Sequence, residues 1–182
     1  MTVKEYFSKM KGRTVSPPTV SRMETLWSWL GSFLGILAVA VAHWSWALTT
    51  PDMVMLIGSF GATAVLLYGA PASPLAQPRN LLGGHFLSAL VGVTSLKLLA
   101  PYPELASALA VSLAIVVMHL TKTLHPPGGA TALIAVTGSQ RIHDLGYFYA
   151  FIPALSGALL MLVVALLVNN LAPARRYPDF WW

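Results

Sequence analysis

The chain places a small set of neutral and cationic polar side chains among long apolar runs, with no carboxylate beside them. Two stretches stand out: Ser59, Gly61 and Thr63 in one, and His125, Gly128, Gly129 and Thr131 in the other. Gln77, Arg79, Asn80, His85 and His119 lie between or near them, as do Lys97, Thr121, Lys122 and Thr123. Asp52, Glu104 and Asp144 fall in the connections between apolar runs. An ionisable group inside a bilayer is costly and is a functional candidate by default. Hydroxyls, imidazoles and cations without carboxylates would solvate an anion and hold a bare cation poorly. Free N–H groups at a helix start add a field of the same sign. The expected chemistry is therefore recognition of a small anion. Ser59, Gly61, Thr63, His125, Gly128, Gly129 and Thr131 are the expected ligands, and Gln77, Arg79, Asn80, His85 and His119 line the approach.

Other chemistries are poorly served. His119 and His125 are six residues apart and Pro126 breaks the helix after them, so they do not share a face. No carboxylate joins them, and no metal site is expected. There is no cysteine, hence no thiol nucleophile and no disulfide framework. An intramembrane enzyme using His125 as base would lack an Asp or Glu partner and a nucleophile. No catalytic residue and no cofactor are assigned, and the chain is not expected to be an enzyme. Lys97 and Lys122 sit near the ends of apolar runs, where such side chains snorkel to the interface. His43, beside Trp44 and Trp46, is also read as interfacial. His119 is either a pore residue or a partner in a helix–helix hydrogen bond.

Composition says what must hold these groups. Of 182 residues, 56% are apolar and only 9% are charged, against about 25% charged in an ordinary soluble domain. Six apolar segments run at about 25–48, 53–70, 80–100, 104–122, 126–138 and 147–171. A helix needs about 20 residues to cross the hydrocarbon. The first, third and last segments are long enough, the second and fourth borderline, and the fifth too short to cross alone. The expected fold is an all-α integral membrane bundle. Its domain occupies 25–171, between a polar basic segment at 1–24 and an interfacial tail at 172–182 ending in Phe180-Trp181-Trp182.

Charge placement gives a topology. With six crossings, Lys4, Lys9, Lys11, Arg13, Arg22, Arg79, Lys122, Arg175 and Arg176 share one side, and only Lys97 and Arg141 lie opposite. The cation-rich side is cytoplasmic by the positive-inside rule. The net charge of +5 is spread over ends and loops rather than in a stripe among aromatics, so no nucleic-acid partner is expected. The first 22 residues lack a secretory pattern, and the first apolar run is expected to be retained. Val3, Tyr6, Phe7 and Met10 fall at helical spacing. The segment is either a short amphipathic helix on the leaflet or a tail broken at Pro17-Pro18. Small residues four apart (Gly31 and Gly35; Gly84, Ser88 and Gly92; Ala106, Ala110 and Ala114; Ala154 and Ala158) are expected to be helix-packing seams.

A short repeat ties the two polar stretches together. Gly61-Ala62-Thr63-Ala64-Val65-Leu66 recurs as Gly129-Ala130-Thr131-Ala132-Leu133-Ile134, an offset of 68 residues. Each copy sits in the middle segment of a trio, and a duplicated unit with three crossings is inverted in its second copy. In inverted-repeat transporters, Gly- or Pro-interrupted segments at matching positions mark the binding site. The expected architecture is thus a 3+3 inverted repeat with two short half-helices. Were both short segments re-entrant, four spans would remain and the halves would be parallel.

The segment His125-Pro126-Pro127-Gly128-Gly129-Ala130-Thr131-Ala132-Leu133 resembles the signature of the HPP family of small integral membrane proteins. The stretch from Ser59-Phe60-Gly61-Ala62 through Pro71, Ser73-Pro74 and Gln77-Pro78-Arg79-Asn80 to Gly84-His85 is similar to that family's second block. The resemblance implies a transport protein with four or more spanning helices. It also implies nitrite as a cargo, because some plastid and cyanobacterial members are linked to nitrite transport. The polar N-terminus does not resemble a plastid transit peptide, so a bacterial inner membrane is expected, with the N-terminus cytoplasmic. The alternative function is a structural or regulatory membrane subunit. The expected partners are the lipid bilayer and a small inorganic anion, and assembly as a homo-oligomer stays open.

Overall fold

The computed structural model describes residues 2–10, 14–47 and 56–182, without the side chains of 46 and 47. Lys11, Arg13, Asp52 and the first three residues of the 53–70 segment lie outside the described residues. The described chain is helical, without a strand. Helix α1, Val3–Ser8, is closed by a Thr2–Glu5 capping box, and none of its residues is buried. Helix α2 is Arg22–Ala47. Helix α3, Ser59–Ala64, continues into one wide turn at Val65–Gly69. Three helices open on proline: α4, Pro78–Leu99; α5, Pro103–Leu120; and α6, Pro126–Thr137. Proline costs nothing at a first helical position, whose N–H has no intrahelical acceptor. Helix α7, Gln140–Leu145, leads through tight and wide turns into α8, Ser156–Leu171, with extended backbone at Ile152.

Among the described residues, four stretches are long and apolar enough to cross a membrane: Arg22–Ser45, Pro78–Leu99, Pro103–Leu120 and Gln140–Leu171. The other two apolar segments are the helical run Ser59–Gly69 and α6. At 1.5 Å per residue they reach only about 16 and 18 Å, against a hydrocarbon core about 30 Å thick. Of the six expected segments, four are therefore long and two short.

The exterior is what lipid requires. On α2, Leu26, Trp29, Phe33, Leu37, Val41 and Trp44 recur every three or four residues and are exposed. On α8, Leu159, Val163, Leu167 and Leu171 do the same. The interior combines small residues with large ones such as Phe60, Tyr68, Leu81 and Tyr149, and every expected seam is buried. A Cβ at Gly92 would lie 2.5 Å from Ala132 O, so α4 and α6 touch backbone to backbone there.

Contacts at the two ends order the chain. At one end Arg175 pairs with Glu24 at 2.6 Å, Tyr177 donates to Ala76 O at 2.8 Å, and Arg79 donates to Thr121 O at 2.7 Å. The start of α2, the start of α4, the end of α5 and the C-terminal tail therefore share this end. At the other end Lys97 lies over the Tyr147 ring, 5.5 Å from its centre, and His143 Nε2 donates to Val136 O at 3.0 Å. The end of α4, the end of α6 and the approach to α8 meet here. Arg22, Arg79, Lys122, Arg175 and Arg176 thus gather at one end and Lys97 and Arg141 at the other, as the charge argument expects.

The tail is more than an anchor. Tyr177 is 2% exposed, and Asp179 N–H donates to Gln77 Oε1 at 2.9 Å. Burial pushes the Tyr177 phenol above the usual tyrosine range, so it stays a donor to Ala76 O. Phe180, Trp181 and Trp182 face outward, as do Pro173, Ala174, Arg176 and Asp179.

Candidate functional site

The two short helices meet in the middle of the bundle. Helix α5 ends in a reversal at Lys122, which has φ 55°, and Thr123 N–H closes on Met118 O at 2.8 Å. The pair Pro126-Pro127 then holds the preceding His125 extended, at φ −136° and ψ 106°. From there α6 runs back along α4. Gly84 admits this path, since a Cβ there would lie 2.5 Å from the His125 Cβ. Helix α3 runs beside α6 in the opposite direction. Gly58 lies by Ile134, while Thr63 lies by His125. The two short helices thus pass each other side by side, with their starts at opposite ends of the contact rather than meeting head-on.

Four fully buried side chains fill this crossing: Thr63, His85, His125 and Thr131. Thr131 Oγ1 lies 2.7 Å from His85 Nδ1, and His85 Nε2 lies 2.8 Å from Thr63 Oγ1. Thr63 Oγ1 lies 3.2 Å from His125 Nε2, and His125 Nδ1 lies 2.8 Å from Leu75 O. The Phe60 ring edge closes over His85 at 5.3 Å between ring centres.

Donor counting fixes the protons of the neutral cluster. A carbonyl only accepts, so His125 Nδ1 carries the hydrogen given to Leu75 O. Its Nε2 then only accepts, and Thr63 O–H is its donor. Thr63 O in turn accepts from His85 Nε2–H, which leaves His85 Nδ1 to accept from Thr131 O–H. The bonds form one unbroken series in a single direction, from Thr131 to Leu75 O. Each hydroxyl has a second acceptor one turn back, Ser59 O for Thr63 and Pro127 O for Thr131, both at 3.2 Å.

The remaining expected site residues separate into four groups. Ser59 is buried one turn before Thr63, and its hydroxyl has no partner. Gln77, Arg79 and Asn80 brace the Arg175 end. Gln77 holds Pro71 O and Ser73 O, Arg79 holds Thr121 O, and Asn80 holds Leu124 O. Gly61, Gly129 and His119 face outward. His119 and Gly129 line an apolar groove of about 580 Å³ with Val111, Met118, Pro126 and Leu133. Gly128 is buried, with its N–H given to His125 O at 2.8 Å. Since Pro126 and Pro127 carry no N–H, side chains rather than backbone supply most donors here.

Three buried contributors escape a reading of the sequence. Ser88, which looks like a packing residue, carries a hydroxyl without a partner beside Gly128. Tyr149 donates to Thr131 O at 3.1 Å. Asn169 bridges Leu67 O and the Arg175 guanidinium. Only their polarity within apolar runs signals them. Among the described residues no group of three His, Cys, Asp or Glu is placed to hold a metal.

Comparison with known proteins agrees on the class. A family model described as HPP, transmembrane region, matches residues 17–178. Two Dictyostelium discoideum proteins, each named only as a transmembrane protein, are 51% and 50% identical over 98% and 100% of this chain. The chain spans 58% and 65% of their respective lengths. No solved structure matches.

Proposed function

Because the chain belongs to the HPP transmembrane family, we propose that it carries a small inorganic anion across the bilayer. Nitrite is the first candidate, on the resemblance to family members linked to nitrite. The observation that carries the reading is the Thr63–His85–His125–Thr131 cluster, buried where the first half of α6 passes the end of α3. Its donors suit an anion, and Glu24, Glu104, Asp144 and Asp179 lie at helix ends or beyond. The irregular backbone at 123–125 runs inward from the Arg175 end, and such backbone is tolerated at membrane depth where protein buries it or a polar path solvates it. Binding there requires an anion to replace bonds the four side chains now make to one another. With no carboxylate to orient His125, and with the Thr63 hydroxyl held between two imidazoles, we read the site as non-catalytic.

The long–short–long order of α2, α3, α4 and of α5, α6, α8 supports an internal duplication with opposed directions. We place the Arg175 end, with the larger share of cations, on the cytoplasmic side. A bacterial inner membrane gains no support from relatives that come from Dictyostelium.

A second reading has its own observation. Every hydrogen-bonding group of the four-residue cluster is satisfied, as in a purely structural lock between helices. Liposome flux separates the two. Transport predicts entry of nitrite and exclusion of sodium and potassium, with loss of entry in Thr63→Val and Thr131→Val proteins that still fold. Nitrite entry no faster than in protein-free liposomes would leave the lock.

A further inference from the structure

We propose that the His125–Thr63–His85 chain takes up one proton with each anion, so that proton and anion cross together without net charge. The inference rests on the transport reading above and adds its coupling. The cluster is fully buried in the lipid-embedded part of the bundle, and its four side chains are all neutral in the bonding pattern given above. An anion entering alone would bring an uncompensated charge into this interior, and so would a proton. Each makes the other's binding less costly, and such coupling is reciprocal by necessity.

The hydrogen-bond directions say where the proton goes. His125 is the member joined to the half-buried turn at Leu75, on the Arg175 end. A proton added at its Nε2 turns that nitrogen from acceptor to donor. Thr63 O has two lone pairs, so it can accept from His125 Nε2–H and His85 Nε2–H together. The Thr63 O–H hydrogen is then released from His125 and free to turn to a new acceptor. One turn earlier on the same helix face lies Ser59, buried with an unpartnered hydroxyl. These two hydroxyls, beside an imidazolium, are the donors and the charge that a monovalent oxyanion requires. No bond to the anion is covalent. One proton and one anion enter, and the same proton and anion leave when His125 Nε2 gives its proton up.

The groups facing the chain leave the charge to these histidines. Tyr149 comes from the approach to α8 and gives its hydrogen to Thr131 O. Phe60 presents a ring edge from α3. Arg79 on α4 is bonded to Thr121 O, and Arg175 in the tail is paired with Glu24. From α2, Tyr68 of the wide turn is met by Gly31 and Gly35, and its phenol donates to Met161 O.

The test uses the whole protein in liposomes containing a pH-sensitive dye. An inward nitrite gradient is imposed while potassium and valinomycin fix the voltage, and protein-free vesicles give the leak of nitrous acid. We expect internal acidification above that leak, at a rate unchanged when the fixed voltage is reversed. His125→Asn keeps a donor for Leu75 O but has nothing to protonate. It should fall to the leak rate, whereas His119→Asn should match the parent. Nitrite entry above the leak without acidification, at a rate that follows voltage, overturns the coupling and leaves the transport reading standing. Full acidification by His125→Asn also overturns it. No nitrite entry above the leak by folded protein removes both.

Discussion

The middle of the bundle and its Arg175 end both bury polar groups, but with different residues. The end uses full charges. The Arg175 side chain is 3% exposed, pairs with Glu24, and also reaches Ser28 Oγ and Asn169 Oδ1, each at 2.8 Å. The middle uses neutral groups, two threonines and two histidines, whose hydrogens can be reassigned without moving a heavy atom far. A charged network holds one geometry, because losing either partner leaves an uncompensated charge. A series of hydroxyls and imidazoles has one satisfied arrangement when neutral and a second once a proton is added, because each hydroxyl has another acceptor one turn back. On the transport reading proposed above, the end fastens and the middle is where exchange occurs.

Arg175→Ala is the strongest challenge to that division. It leaves Glu24 and Asn169 without their partner and should cost about 3 kcal/mol of stability, read as thermal unfolding in detergent. A cost below about 1 kcal/mol, the range of exposed pairs, would put the end on the same footing as any surface bridge. Next comes His85→Ala, which removes two hydrogen bonds and opens a cavity. It should cost about 2 kcal/mol and abolish flux. Retained flux would take His85 out of the exchange path. Thr63→Val and Thr131→Val keep shape and delete one hydroxyl each. Thr131→Val should cost about 1 kcal/mol and Thr63→Val, which strands both imidazoles, about 2 kcal/mol, while each lowers nitrite flux strongly. If both were silent in flux and costly in stability, the middle would be a fastener too. Lys97→Ala, at the far end, removes an exposed contact with Tyr147 and should change stability by less than about 0.5 kcal/mol.

Much of this was legible in the residues. Run lengths mark the first, third and last segments as long and the fifth as short but leave 53–70 and 104–122 alike, of which the first proves short and the second long. Pro126-Pro127 dictates both an extended His125 and a helix starting at 126. The repeat singles out Thr63 and Thr131 as a pair before any contact is known. It does not reveal His85 as the residue joining them, because that depends on which face of α4 meets α3 and α6. The partners of His85 lie 22 and 46 residues away in sequence. Nor does spacing distinguish Gly129, turned to an outer groove, from Gly128, packed against Ser88. The tail looked like an interfacial anchor because its aromatics follow two arginines. The tuck of Tyr177 beneath Ala76 is a long-range contact with no local mark.

The shortness of α6 also bears on how the protein is made. A helix of about 18 Å that opens on two prolines has too little apolar length to leave a translocation channel for lipid by itself. It packs against α4 and α5, which precede it in the chain and each meet the length requirement alone. The α4–α5 pair must therefore be in the bilayer first and offer its groove, so that α6 partitions onto protein rather than into hydrocarbon. A nascent chain stopped after Thr137 should hold α6 at membrane depth, and the same segment fused without α4 and α5 should pass through to the aqueous side.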